Sequence, residues 1–464
     1  MNLEEYLNEL KNQIRDKHAK EFVVNEFLAH IEDQAADLQQ DGMDHEQALT
    51  KAVEEMGDPV SVGVSLDRIH RPHMEWKFLI FTTFISILSI GVFYLICTTM
   101  PADSVLINVA VTSNTFFKHI ASIAIGLVAM LIAYRLDYTI LAGKSRIIAA
   151  LFLLIMTLLP IPFGQTINGS NRWLCIGGIT LSIQALFLLY LPLFAGILYE
   201  YRNKGISAVI KIFCWMIAPL LSRLLYSDAR GPFALFMLFA EFILFILALR
   251  KNWYAVKKRA LLLGGGFIFS VIAAAVAILC INLRSYQVAR LQNWISHIGL
   301  FTRSMDEDGM LYVNSRLDYT FLHSNFIGKS DSAINIMKNM AGMTGDLILG
   351  SVAATCGIAA VVVIMISLVV LSIYIFNISL KQRNSLGYIV GCSSGILIAV
   401  ESISNILIVF GLLPLTSTTL PFFTSSMSYI IVDYILLGLV LSIYRYKDIR
   451  IEKEPVGSTV VKAE

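Results

Sequence analysis

Asp306, Glu307 and Asp308 stand side by side in SMDEDGMLYVN (304–314), within a chain that is 56% hydrophobic. Carboxylates crowded in this way raise one another's pKa, which helps one of them act as a general base near neutral pH. The same acids also serve simply to keep a loop solvated. Arg172, beside Trp173, offers a planar fork suited to a phosphate. Arg172 reads equally well as an interfacial anchor, and Trp173 as an aromatic-belt residue rather than a sugar platform. Asp228 lies near the end of an apolar run, where it either pairs with Arg223 or Arg230 or serves a ligand directly. Glu241 and Glu401 fall inside apolar runs, and an intramembrane carboxylate is a functional candidate by default.

Other patterns carry no chemistry. Gly264-Gly265-Gly266 has no Lys-Ser/Thr after it and lies in an apolar run, so it serves close helix packing. Cys97, Cys175, Cys214, Cys280, Cys356 and Cys392 are scattered without a CxxC and read as packing residues. His70 and His73 have no partners at metal spacing, so no metal site is assigned. No cofactor motif is present, although the sequence leaves a divalent cation open.

The elements that must hold these residues are membrane helices. A mean hydropathy of +0.69 with 15% charged residues is far more apolar than a soluble domain requires. Apolar runs long enough to cross a bilayer occur at about 77–98, 117–134, 146–161, 179–199, 206–222, 232–249, 260–281, 347–376, 386–412 and 427–444. With the amino terminus inside, Arg135, Lys144, Arg202, Lys204, Arg250, Lys251, Lys381, Arg383, Arg445 and Lys447 all fall on the cytoplasmic side, as the positive-inside bias requires. The fold class expected is therefore all-α: a polytopic membrane protein of about ten transmembrane helices with both termini in the cytoplasm. The 163–178, 223–231 and 413–426 loops and a long segment at about 282–346 face outside. Loops as long as the last are usually functional, and its LDYTFLHSNFIGKS reads as a short amphipathic element at the membrane surface. A net charge of +2 gives no support to nucleic-acid binding.

Residues 1–74 read as a small cytoplasmic helical domain, with Phe22, Val23, Phe27, Leu28 and Ile31 at helical spacing. Asp44 is placed to cap a helix through DHEQALTKAVEEMG, which Gly57-Asp58-Pro59 ends. This segment resembles the permease prefix domain found ahead of various bacterial membrane proteins. Its acidic character suits a protein contact. A membrane domain at 75–450 and a cytoplasmic tail at 451–464 complete the chain.

Within QTINGSNRWLCIGGITLSIQ (165–184), Asn168, Gly169, Arg172, Trp173, Gly178 and Gln184 resemble the "NGxxRWhxhGxhxhQPSE" signature of the SEDS family, which comprises FtsW, RodA and SpoVE. GLLPLTSTTLPF (411–422) is similar to that family's "GxxPxTGxxLPF" through Pro414, Thr416, Leu420, Pro421 and Phe422. SDARG resembles a worn "PDxG". Matching Tyr312 to the family tyrosine places Asp306 on the "DPxGxGYQ" aspartate, Gly309 on its first glycine and Gly328-Lys329 on "GK". Asp346-Leu347-Ile348 then falls on "DFI" and Gly357 on the closing glycine. Departures stand at Ala185-Leu186-Phe187, at Ala354-Thr355 where the family has paired glutamates, and in TSSMSY (424–429).

The resemblance implies a peptidoglycan glycosyltransferase that polymerises lipid II on the outer face of the bacterial cytoplasmic membrane, beside a class B penicillin-binding protein. It makes Asp306 the base, with Glu307 and Asp308 as alternates. Arg172, Trp173, Lys329, Arg290 and Asp228 become candidates for holding the lipid diphosphate and sugars. A non-catalytic scaffold or regulator and a lipid-linked substrate transporter are the competing expectations.

Overall fold

The computed structural model describes residues 1–15, 17–70, 74–100, 113–167, 170–224, 233–254, 294, 312–338, 340, 342–416 and 418–447. The chain divides into two compact units, one of Met1–Glu75 with Gln382–Ser385 and Ile443–Glu464, the other of Trp76–Lys381 with Leu386–Ser442.

The first unit holds α1 (Leu3–Gln13), α2 (Lys17–Gln40), α3 (His45–Glu55) and α4 (Pro59–His70). Tyr6 and Leu10 of α1, Val23 and Ile31 of α2 and Ala48 and Ala52 of α3 fill its core, giving the amphipathic spacing a physical basis. Asn2 and Glu5 form a reciprocal capping box that satisfies two backbone donors at the start of α1. Asp44 stands at the N-cap of α3, but its side chain makes no capping bond. Arg15 meets Asp67 through its backbone N–H at 2.9 Å and its guanidinium at 3.5 Å.

The second unit is built from α5 (Trp76–Thr99), α6 (Ser113–Arg135), α7 (Leu141–Leu158), α8 (Pro160–Phe163), α9 (Ile183–Phe187), α10 (Tyr190–Glu200), α11 (Ile206–Leu224) and α12 (Phe233–Arg250), followed by α13 (Tyr312–His323), α14 (Asp331–Met337), α15 (Ile348–Cys356), α16 (Ile358–Leu380), α17 (Ser385–Val409) and α18 (Met427–Arg445). Seven described helical stretches are long and apolar enough to cross a membrane: Trp76–Thr99, Asn114–Arg135, Tyr138–Phe163, Ile183–Glu200, Ile358–Leu380, Ser385–Val409 and Met427–Arg445. The apolar run at 260–281 lies outside the described residues.

The helices of this unit are apolar on their exposed faces as well as inside. Ile80, Phe84, Ile87, Ile366, Val369 and Ile373 are exposed on its helices, whereas Ser86, Ser89, His119, Glu241, Asn405 and Asp433 are buried. A lipid solvent imposes this arrangement, because apolar side chains lose nothing by facing acyl chains while polar groups must find partners inside. Cys214 is exposed on α11 and so does not pack inside as its composition suggested.

Two expectations from hydropathy need correction. The run at 347–376 is not one span: it breaks at Gly357, whose φ of 95° divides α15 from α16. A Cβ there would lie 2.7 Å from the Phe326 carbonyl oxygen, so glycine is needed both for conformation and for close approach. The 163–178 segment, expected as a loop, carries a three-stranded antiparallel sheet of β1 (Gly164–Ile167), β2 (Ser170–Ile176) and β3 (Ile179–Ser182). Since β3 occupies the start of the run at 179–199, the helical part of that span begins at Ile183.

Candidate active site

The sheet places the first signature. Trp173 on β2 pairs with Gln165 on β1 and Ser182 on β3, and its side chain is half-buried. Arg172 lies on the same strand. Beyond the sheet, the Ser182 N–H donates to the Ser428 hydroxyl at 2.8 Å, joining the first signature to the start of α18. Gln184 follows, buried at the first turn of α9.

The second signature runs without helix from Gly411 toward Met427, and the described residues from Thr418 to Thr424 are buried. Irregular backbone survives in apolar surroundings when neighbouring groups satisfy its N–H and C=O. Asn405 of α17 donates from Nδ2 to the carbonyls of Thr418 (2.7 Å) and Asp346 (2.8 Å). Asp433 of α18 accepts the Phe422 N–H at 3.0 Å. The Ser425 N–H donates to the Thr344 carbonyl at 2.8 Å.

His119 of α6 completes this clamp. Its Nδ1 lies 3.1 Å from the Thr424 carbonyl, which only accepts, so that nitrogen carries a proton. In the neutral ring Nε2 is then an acceptor. The Ser89 hydroxyl, 2.9 Å from Nε2 and 2.7 Å from the Phe422 carbonyl, divides one proton between two acceptors. The imidazole also stacks on Phe93 with ring centroids 3.6 Å apart.

The third marker meets the fourth. Gly328 donates to the Cys356 carbonyl at 3.0 Å and Ser330 to Ala354 at 2.9 Å, while Ile358 donates to Asn325 at 3.0 Å. The glycine-lysine pair is thereby folded against the helix break at Gly357. Lys329 itself is exposed and lies 3.4 Å from Asp331, so in this structure it pairs with the acid at the first position of α14.

Asp306, Glu307, Asp308, Arg290 and Asp228 lie outside the described residues, as do Arg230, His73 and Cys280. Glu241 is 1% exposed on α12, and neither carboxyl oxygen has a hydrogen-bonding partner among the described residues. Ala185, Ala354 and Thr355, at family acid or signature positions, are buried.

Sequence reasoning passed over Ser89, His119, Asn405 and Asp433. Each is a polar residue within an apolar run, the signal that singled out Glu241 and Glu401.

Residues 77–449 match the family model described as cell cycle protein, the FtsW, RodA and SpoVE group. A relative named probable peptidoglycan glycosyltransferase FtsW, from Enterococcus hirae, is 23% identical over 303 residues, covering 65% of this chain and 74% of its own. Among solved structures, a chain from work on structural coordination of polymerization and crosslinking by a peptidoglycan synthase complex superposes with a TM-score of 0.62 at 18% identity, covering 80% of this chain and 98% of its own. A crystal structure of a mutant of the rod shape determining protein RodA from Thermus thermophilus gives 0.55 at 16% identity, covering 81% and 98%. With a matching model that spans the whole membrane domain and a helical fold shared with these structures, the chain belongs to the FtsW, RodA and SpoVE family of cell cycle proteins.

Proposed function

We propose that this membrane protein is an inverting peptidoglycan glycosyltransferase that polymerises lipid II during cell wall synthesis. The observation that carries this reading is the meeting of separated family signatures: Ser182 with Ser428, Asn405 with Asp346 and Thr418, and Gly328 with Cys356. Contacts between motifs so far apart along the chain support a common site.

In this reading Asp306 takes the proton from the acceptor sugar hydroxyl, and its carboxylate needs only to be within hydrogen-bond reach of that oxygen. Arg172 and Arg290 stabilise the departing lipid diphosphate, with Lys329 released from Asp331 to assist. Trp173 lines the sugar path and Asp228 orients a neighbouring cation. The reaction lies on the outer face of the cytoplasmic membrane, both termini are cytoplasmic, and a class B penicillin-binding protein supplies the crosslinking step.

A second reading, a non-catalytic scaffold for such a partner, draws support from the replacement of family acids by buried Ala354 and Thr355. Incubating the purified protein with lipid II, alone and with its class B partner, separates the two. Glycan polymer supports the enzyme; its absence under both conditions rejects it. Movement of lipid II across vesicles without polymer favours transport.

A further inference from the structure

Several polar groups along the buried 418–424 segment find partners, but four side-chain oxygens in or beside it do not. Glu401 Oε2, Asn405 Oδ1, Thr418 Oγ1 and Asp433 Oδ1 are buried and have no hydrogen-bonding partner among the described residues. Asn405 is 0% exposed and Asp433 1%, so water offers them no ready substitute.

These four residues are neighbours. Glu401 and Asn405 are one turn apart on α17, and the Asn405 amide donates to the Thr418 carbonyl at 2.7 Å. Glu401 and Thr418 also line one mostly apolar pocket, together with Ser404, Thr419 and Tyr429. Asp433, from α18, is near enough to act electrostatically on Glu401, yet no hydrogen bond joins the two carboxyl groups.

That spacing narrows the chemistry. Two carboxyl groups sharing a proton sit in direct hydrogen-bonding contact, which these do not. Two ionised carboxylates in apolar surroundings are costly unless a positive charge lies between them. Carboxylate, amide and hydroxyl oxygens without nitrogen or sulfur make a ligand set for a hard cation. Two negative charges balance a divalent ion, and ligands drawn from two helices and an irregular segment suit the adaptable coordination of calcium better than the strict octahedron of magnesium.

We infer that Glu401, Asn405, Thr418 and Asp433 form a binding site for one divalent cation of the calcium type, which ties α17 and α18 to the 411–426 segment. The site stands independently of the glycosyl-transfer reading.

The test uses the full-length protein in detergent, washed with a chelator and titrated separately with Ca²⁺, Mg²⁺ and Na⁺. Equilibrium dialysis against radiolabelled Ca²⁺ gives about one bound ion per chain, and saturating Ca²⁺ raises the thermal midpoint by roughly 3 °C or more. Glu401→Gln and Asp433→Asn each abolish both effects. Thr418→Val, which keeps the side-chain volume, weakens Ca²⁺ binding by at least about tenfold. Absence of specific Ca²⁺ binding, preference for Na⁺, or unchanged affinity in Thr418→Val overturns the proposal, and the last result decides it even where the acid variants fail to fold.

Discussion

The Phe422 backbone N–H donates to Asp433 Oδ2 across 3.0 Å and so helps hold a phenylalanine at φ 64°. A bulky side chain in the left-handed region is strained and persists where its surroundings over-determine it. Removing the acceptor with Asp433→Ala strands a buried N–H and should destabilise the fold by about 1–3 kcal/mol. Asp433→Asn keeps an acceptor oxygen and should lose less when both are compared without calcium. Unfolding in mixed micelles, followed by tryptophan fluorescence, ranks the two; equal losses would remove the hydrogen bond from the explanation.

Gly357→Ala should be among the most damaging single-methyl changes. The added Cβ faces the Phe326 carbonyl and the Ile327 Cα at 2.7 and 2.9 Å, both backbone atoms, at φ 95°. Backbone strain of this kind costs on the order of 1–3 kcal/mol before the clash is counted. The same assay should show a large loss of stability, with faster proteolysis of the 325–330 segment as its local signature.

Gly438 on α18 lies against Met130 of α6, where an added Cβ would overlap the Met130 carbonyl oxygen; Gly126 faces the Tyr434 ring from the other helix. The absence of a side chain at Gly438 lets the α18 backbone approach that of α6. Gly438→Leu must separate them, at a cost of roughly 1–3 kcal/mol. A disulfide placed between α6 and α18 in the wild type should form less readily in the variant, which a gel-shift assay reads directly.

Asp306→Asn should lower lipid II polymerisation by about 10²–10⁴-fold, the contribution of a positioned general base. Glu307→Gln and Asp308→Asn should stay within a few-fold of the wild type. Timed product gels distinguish these outcomes, and full activity in Asp306→Asn would remove that residue from the proposed chemistry.

Legibility in the sequence followed the physics. Apolar runs marked the helices because lipid demands them, so α5, α6, α17 and α18 were visible with boundaries close to their structural ones. Hydropathy could not resolve the break at Gly357, since both sides are equally apolar and the turn depends on a backbone angle. The sheet at Gly164–Ser182 was hidden for a related reason: its strands are short and interrupted by the Gly177-Gly178 turn. The signature segments were legible as letters, whereas the contact of Gly328 with Cys356 belongs to the three-dimensional fold. Ser89 and His119 were not, because they act on residues more than three hundred positions away.

The clamp around 418–424 has a practical consequence for anyone moving this motif between proteins. Its shape is held by side chains from α5, α6, α17 and α18, so a transplanted GLLPLTSTTLPF would carry the spelling without the scaffold that pronounces it. A useful chimera exchanges Ser89, His119, Asn405 and Asp433 together with the segment, treating four distant positions and one contiguous stretch as a single inherited part.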